Sequence, residues 1–300
     1  MKNKTILITG ATGSFGRAFV EKALTLDPRK IICFSRGEEK QVEMRRHFND
    51  DRLRFYIGDI RDRDRLWRAL NGVDYVIHAA ALKHIDVAEH DPLEVVKTNV
   101  QGTQNVVDAA IDRGVKKVLA ISTDKAVNPC SLYGAAKLVA DKLVIGSNLY
   151  SPGATIFSVI RYGNFLGSSE SVIPYFRRLV EQGQKWLPIT DFRMTRFFIS
   201  LESAVEKALI ALDTMKGGEI FCPRMSAYRI TDIAHGIAPD IELREVGMRP
   251  GEKLHEELIL AGDKGVRESN GFYIIGGKEG RVVLQGFKYS SDKEVVEWVG

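Results

Sequence analysis

A β-branched run that breaks on three evenly spaced glycines and turns at once into a helix leaves a chain few folds to choose from. Residues 4–9, Lys-Thr-Ile-Leu-Ile-Thr, have the character of a short buried strand. Gly10-Ala11-Thr12-Gly13-Ser14-Phe15-Gly16 follows directly, and the helical spacing of Ala18, Phe19 and Ala23 comes next. The pattern is G-x-x-G-x-x-G rather than G-x-G-x-x-G, but its physical use is the same in kind. Glycine lets the backbone turn sharply and approach a pyrophosphate, whose charge meets the amides of the helix N-terminus. A strand, turn and helix of this kind predict a dinucleotide site.

The same alternation continues. Lys30–Phe34 reads as a second strand, and its tip carries Ser35 and Arg36, with Lys40 one turn on. An acidic residue at that tip would grip ribose hydroxyls; a hydroxyl and two cations suit a 2′-phosphate instead, which predicts NADP. Leu53–Ile57 is a third strand leading to Asp59, placed to meet an adenine amino group or equally to cap the helix starting near Arg63. Tyr75–His78 is a fourth, followed by Ala79, Ala80 and Ala81, whose small side chains let a cofactor's sugar and phosphates lie close to the backbone. Residues 92–113 read as one helix and 132–149 as another, each apolar beyond a single stripe, so the two could pair with their copies as a four-helix bundle in a homo-oligomer, a dimer or a hexamer built from it. Strand and helix in alternation predict an α/β fold with a doubly wound parallel sheet of Rossmann type. Residues 1–165 are expected to form the NADP-binding domain. Residues 166–300 are expected to form mainly a smaller α/β substrate-binding lobe, with room for a helix or strand of that half to return to the sheet.

The densest chemistry lies at Ser122-Thr123-Asp124-Lys125, after the apolar strand Lys117–Ile121, and at Tyr133-x-x-x-Lys137 on the helix that follows. Open α/β sheets place ligands at the carboxyl ends of their strands. Tyr133 and Lys137 share one helix face. An ammonium near a phenol stabilises the phenolate, so Lys137 is expected to lower the pKa of Tyr133 from about 10 and let it act as a base. In the second half, Arg196 and Arg249 sit in segments outside regular helix patterns, suited to bidentate phosphate contact, and each has a structural ion pair as its ordinary alternative. With Glu252 able to grip ribose hydroxyls, they point to a nucleotide diphosphate on the substrate.

Composition removes other classes. A net charge of +4 on 300 residues is too small and dispersed to argue for nucleic acid, yet suits a small anionic ligand. There is no apolar run long enough to span a membrane and no leader-like N-terminus, so a cytoplasmic protein is expected. The 3 cysteines are spaced far apart and read as reduced thiols. His78, His84 and His90 match no metal-ligand spacing, and no metal is expected.

Together, Thr9–Gly16, Gly58-Asp59-Ile60-Arg61-Asp62, Ala79–His84, Thr123-Asp124-Lys125, Tyr133-x-x-x-Lys137, Arg161-Tyr162-Gly163-Asn164 and Arg249–Glu256 resemble an extended short-chain dehydrogenase/reductase. More narrowly, they resemble the inverting UDP-N-acetylglucosamine 4,6-dehydratases of pseudaminic acid and capsule sugar pathways. The resemblance links Lys125, where retaining relatives carry Glu, to inversion at C5. It implies NADP held by Gly10, Thr12, Gly13, Ser14, Phe15, Gly16, Ser35, Arg36, Lys40, Asp59, Ile60, Ala79, Ala81, Lys83, Asn99, Tyr133, Lys137 and Phe165. It implies UDP-GlcNAc held by Lys83, Asn164, Ser169, Ser171, Val172, Ile173, Arg196, Arg249 and Glu252. The implied catalytic roles give Tyr133 the 4-hydroxyl proton, Thr123 the C4 oxygen and Asp124 the departing 6-hydroxyl. Lys125 takes the C5 proton, with a pKa expected to be depressed by desolvation and by Lys137. Ser169-Glu170 and Gly37 depart from the family pattern. The rival expectations are another extended short-chain epimerase or reductase of nucleotide sugars, and a catalytically silent NADP-binding regulator.

Overall fold

The structure, a computed structural model, describes residues 1–168, 171–277, 280–283 and 285–298. Its first half runs β1 (Thr5–Thr9), α1 (Ser14–Leu24), β2 (Lys30–Ser35), α2 (Glu38–Phe48), β3 (Leu53–Ile57), α3 (Arg63–Ala69) and β4 (Tyr75–His78). A helical stretch follows: α4 (Ile85–His90), α5 (Pro92–Val95), a π-helical segment Val96–Gln101 and α6 (Gly102–Asp112). Then come β5 (Lys117–Thr123), a 3-10 turn Asp124–Ala126, α7 (Leu132–Gly146) and β6 (Ile156–Tyr162). These six strands lie in one parallel sheet in the order β6-β5-β4-β1-β2-β3, as a doubly wound fold requires. The central strands are buried along nearly their whole length because helices cover both faces, which is why they read as continuous apolar runs rather than alternating ones.

After β6 the chain forms β7 (Asn164–Leu166), α8 (Val172–Glu181), β8 (Trp186–Ile189), β9 (Thr195–Ser200), α9 (Leu201–Thr214) and β10 (Ile220–Pro223). β10 pairs in parallel with β6, and Phe272–Ile275, Arg267–Ser269 and Arg281–Val282 extend the same sheet with antiparallel strands, giving a 10-stranded sheet. A separate three-stranded sheet has β9 at its centre, paired in parallel with β7 and antiparallel with Ser226–Arg229. A separate small core of Ile173, Phe176, Leu187, Ile189, Phe198 and Ile233 forms beneath α8.

Local chemistry explains the boundaries. Asp62 caps α3 by accepting from the Arg65 amide at 2.9 Å. Ser131 caps α7 through Gly134 N, and Ser200 caps α9 through Ser203 N. Gly10 stands at φ +70°, and a Cβ there would lie 2.9 Å from the Ala79 carbonyl, so the turn after β1 admits only glycine without strain. The expected single helix over 92–113 is instead divided by the π-helical segment. Its wider turn carries Asn99, whose side chain donates to Leu82 O and accepts from Leu82 N, both at 2.8 Å, clamping the segment after β4. Among the described residues, no helix is long and apolar enough to cross a membrane.

Candidate active site

The carboxyl ends of β4, β5 and β6 converge on the turn Asp124–Ala126. Thr123 caps that turn: its Oγ1 accepts from the Lys125 amide at 3.3 Å and donates to Asp124 Oδ1 at 3.0 Å. Gly134 lets α7 pack directly on the turn, since a Cβ there would collide with the Lys125 carbonyl oxygen. Tyr133, in the first turn of α7, is therefore buried close to Thr123. Lys125 Nζ lies 3.1 Å from Asp124 Oδ1, donates to Asn164 Oδ1 on β7 at 3.3 Å, and stands 3.7 Å from Glu256 Oε1. Thus Thr123, Asp124, Lys125, Tyr133 and Asn164, read separately in the sequence, gather at one place.

Electrostatics correct two expectations. Burial pulls the Lys125 amine down, but the Asp124 and Glu256 carboxylates outweigh it and hold Lys125 above the usual lysine range. The expected depression does not occur. Tyr133 is pushed up to about 12 by burial, and the cation that pulls it back is Lys125. Lys137 is instead committed elsewhere, donating to Ile121 O at 2.9 Å, and burial lowers its own pKa against the pull of Asp141. Asp124 is fully buried, and burial pushes its carboxyl up against the opposing charge of Lys125. Its Oδ2 has no hydrogen-bond partner among the described residues, which leaves that oxygen free to meet a substrate hydroxyl.

On the cofactor side, α1 opens on Gly13 with no side-chain cap and no acidic residue in its first turn, so its amides are available to an anion. This fits a dinucleotide pyrophosphate. Phe15 packs at 5.8 Å centroid distance on Phe165, joining α1 to β7. Ser35 is buried and tied to Gln41, whose Nε2 donates to Ser35 O at 3.0 Å and to Ser35 Oγ at 2.9 Å. Arg36 and Lys40 are exposed at the tip of β2. Arg36 stands 3.9 Å from Asp59, which is bound more closely by Arg61 at 2.7 Å. Ile60 is buried, Ala79 and Ala81 are half-buried, and Lys83 is exposed in the segment clamped by Asn99. His78 is structural: buried between Thr9 at 2.8 Å and Thr103 at 3.0 Å, it is pushed down to about 3 by burial and by the Lys137 charge.

On the substrate side, Arg249 is exposed and grips Glu252 with Nε at 3.0 Å and a terminal nitrogen at 2.5 Å. Arg196 is not an open phosphate clamp: buried on β9, it donates to Thr195 O, Lys253 O and Leu254 O at 2.7–3.1 Å, organising the loop that carries Arg249 and Glu252. Ser171 precedes α8 with a buried Oγ that has no partner among the described residues, Val172 and Ile173 open that helix, and Ser169 lies outside the described residues. Arg161 belongs to β6 and makes a buried ion pair with Asp141 at 2.9 Å. Glu256 is the site residue that the sequence reading passed over; it lay inside a quoted motif, but no local pattern connects it to Lys125.

Comparison with known proteins agrees with this geometry. The family model described as polysaccharide biosynthesis protein matches residues 6–276. The UDP-N-acetylglucosamine 4,6-dehydratase (inverting) of Campylobacter jejuni subsp. jejuni serotype O:23/36 (strain 81-176) is 48% identical over 309 aligned positions, covering 96% of this chain and 92% of that protein. The UDP-glucose 4-epimerase of Rickettsia prowazekii is 41% identical, covering 90% of this chain and 82% of that protein. Among solved structures, Pen from Bacillus thuringiensis superposes with a TM-score of 0.91 at 35% identity, covering 97% of this chain and 92% of that one. The chain therefore belongs to the polysaccharide biosynthesis protein family, as an extended short-chain dehydrogenase/reductase akin to the inverting UDP-N-acetylglucosamine 4,6-dehydratases.

Proposed function

We propose that the chain converts UDP-N-acetylglucosamine to UDP-2-acetamido-2,6-dideoxy-β-L-arabino-hexos-4-ulose by 4,6-dehydration with inversion at C5, using NADP. The observation that carries this reading is the 3.1 Å contact between Lys125 Nζ and a buried Asp124 whose other oxygen is unpartnered. A nicotinamide dinucleotide held at the start of α1 would supply a reversible hydride store between C4 and C6 of the sugar, so that no external reductant would be consumed. Tyr133, as the phenolate with the resting Lys125 ammonium as its counter-charge, accepts the 4-hydroxyl proton, and Thr123 hydrogen-bonds the C4 oxygen. At rest the pair is ammonium and carboxylate; passing one proton across the contact gives a neutral amine and a carboxylic acid. Lys125 then takes the C5 proton, made acidic by the 4-ketone, and Asp124 gives its proton to the 6-hydroxyl, which leaves as water. Both residues return to their resting charges. The proton taken by Tyr133 balances the one that solvent delivers to the opposite face of C5.

Gly10, Thr12, Gly13, Ser14, Phe15, Gly16, Asp59, Ile60, Ala79, Ala81, Lys83, Asn99, Lys137 and Phe165 form the dinucleotide site in this reading, with Ser35, Arg36 and Lys40 for the 2′-phosphate. Asn164, Arg249, Glu252 and the start of α8 hold the UDP-sugar over it, Arg196 acting through the loop. Arg36→Ala should weaken NADP by about 1.5–3 kcal/mol, roughly 10- to 150-fold, while NAD binding stays nearly constant. Titration calorimetry with both nucleotides checks this, and an equal loss for both would assign Arg36 a structural role. The exposed Leu93, Val96 and Val139 on α5, the π-helical segment and α7 favour a dimer through a four-helix bundle. The substrate and cofactor go with a cytoplasmic location.

A 4-epimerase is the competing activity, as in the Rickettsia relative. Epimerisation needs no acid at C6 and no base at C5, so a buried Asp124 joined through Oδ1 to Lys125 favours dehydration. Incubation with UDP-N-acetylglucosamine without added reductant decides between them: dehydration yields a 4-keto-6-deoxy sugar, epimerisation the 4-epimer.

A further inference from the structure

Glu256 is 2% exposed, on a loop that reaches the site from the other end of the chain. Its Oε1 lies 3.7 Å from Lys125 Nζ and 3.9 Å from Arg196 Nε, and its Oε2 lies 3.1 Å from Lys253 Nζ. Its backbone is fixed on both sides by Ser291, whose Oγ accepts from Glu256 N at 2.9 Å and whose amide donates to Glu256 O at 2.8 Å. Lys253 Nζ also donates to Val127 O at 2.7 Å, tying this loop to the segment just after the catalytic turn. Burying a carboxylate is costly unless cations meet it, and this one is met by three.

The groups facing Lys125 are Asp124 on its own turn, Tyr133 on α7, Arg196 on β9, Asn164 on β7 and Glu256 on the loop. In the proposed reaction Asp124 is protonated at the moment Lys125 takes the C5 proton, so Asp124 cannot then serve as counter-ion to the ammonium being formed. Glu256 is the remaining carboxylate within reach among the described residues. Building on the dehydratase reading, we propose that Glu256 is the positioning residue of Lys125, anchoring its amine and neutralising the ammonium formed at proton abstraction. The same residue makes the base depend on the loop that carries Arg249 and Glu252, so the base is set in place by the segment that grips the nucleotide.

The test is Glu256→Gln in the full chain with its dinucleotide bound, followed through the pH profile of C5 exchange in deuterated water. The active Lys125–Asp124 pair holds one proton between its two members, so the exchange rate rises with pH along an acid limb as the doubly protonated pair gives up its second proton. Removing the Glu256 charge stabilises the neutral amine and moves that limb to lower pH by about one unit or more. The plateau kcat should fall about 10- to 100-fold with KM nearly unchanged. Glu256→Asp, which keeps the charge but withdraws it by one methylene, should move the limb in the same direction by less, and it decides the matter if Glu256→Gln does not fold. A limb that stays at the wild-type pH in the folded variant, with the rate lowered evenly at every pH, overturns the inference and leaves the dehydratase reading standing. A wild-type protein that exchanges nothing at C5 at any pH overturns the reading, and this inference with it.

Discussion

Lys125→Ala is expected to abolish exchange at C5 and to lower dehydration by about 10²- to 10⁴-fold, the usual contribution of a positioned acid or base. The loss is larger than that of a hydrogen-bonding partner because Lys125 serves two purposes. In the proposed reaction it is the amine that takes the C5 proton, and it is the source of the proton that Asp124, 3.1 Å away, passes to the leaving hydroxyl. With alanine there, Asp124 and Glu256 are left buried without their shared cation, and neither can be recharged in the same way. The dinucleotide should remain bound, because α1 and the tip of β2 are untouched. Rapid-quench assays with cofactor content measured alongside check both halves. Wild-type exchange in the variant would remove Lys125 from the base role.

Arg161→Met is expected to destabilise the fold by about 3–5 kcal/mol, the cost of leaving a buried charge without its partner. Asp141 and Arg161 expose only 2% and 6% of their side chains and lie 2.9 Å apart, joining α7 to β6 behind the catalytic face. A terminal nitrogen of Arg161 also donates to Leu258 O at 3.4 Å, two residues beyond Glu256. The variant should therefore show a lower urea midpoint and a lower rate together. Adding Asp141→Leu to Arg161→Met should restore most of the stability, since apolar replacement of both partners removes the unpaired charge. A single variant as stable as the parent would mean that Asp141 finds water or another donor.

The parallel half of the fold was legible because its signals are local. Its strands are mostly apolar runs that end in small or polar residues, and its helices follow in the spacing of their apolar residues, although the cap of α3 falls on Asp62 rather than Asp59. The catalytic turn was legible for the same reason: Thr123, Asp124 and Lys125 are consecutive, and Tyr133 follows on the next helix. The π-helical segment at Val96–Gln101 was not, because one residue more per turn leaves the apolar pattern almost unchanged. The pKa of Lys125 was misread because the carboxylates of Asp124 and Glu256 together outweigh burial, and the sequence brings Glu256 no nearer than any other distant acid. Lys137 shows the opposite error. Its spacing from Tyr133 suits a pair on one helix face, yet the buried amine turns to the Ile121 carbonyl. Arg196 looked free in sequence and proved to be occupied by three backbone carbonyls, contacts that depend on how the loop at Lys253 and Leu254 folds back.

The central claim is that an amine, paired with a buried acid, removes the C5 proton beside a transient ketone. Its most direct test is NMR of the product formed from UDP-N-acetylglucosamine in deuterated water. The account predicts a 4-keto-6-deoxy sugar with deuterium at C5 and the L-arabino configuration. A product that keeps protium at C5 with its original configuration would contradict it.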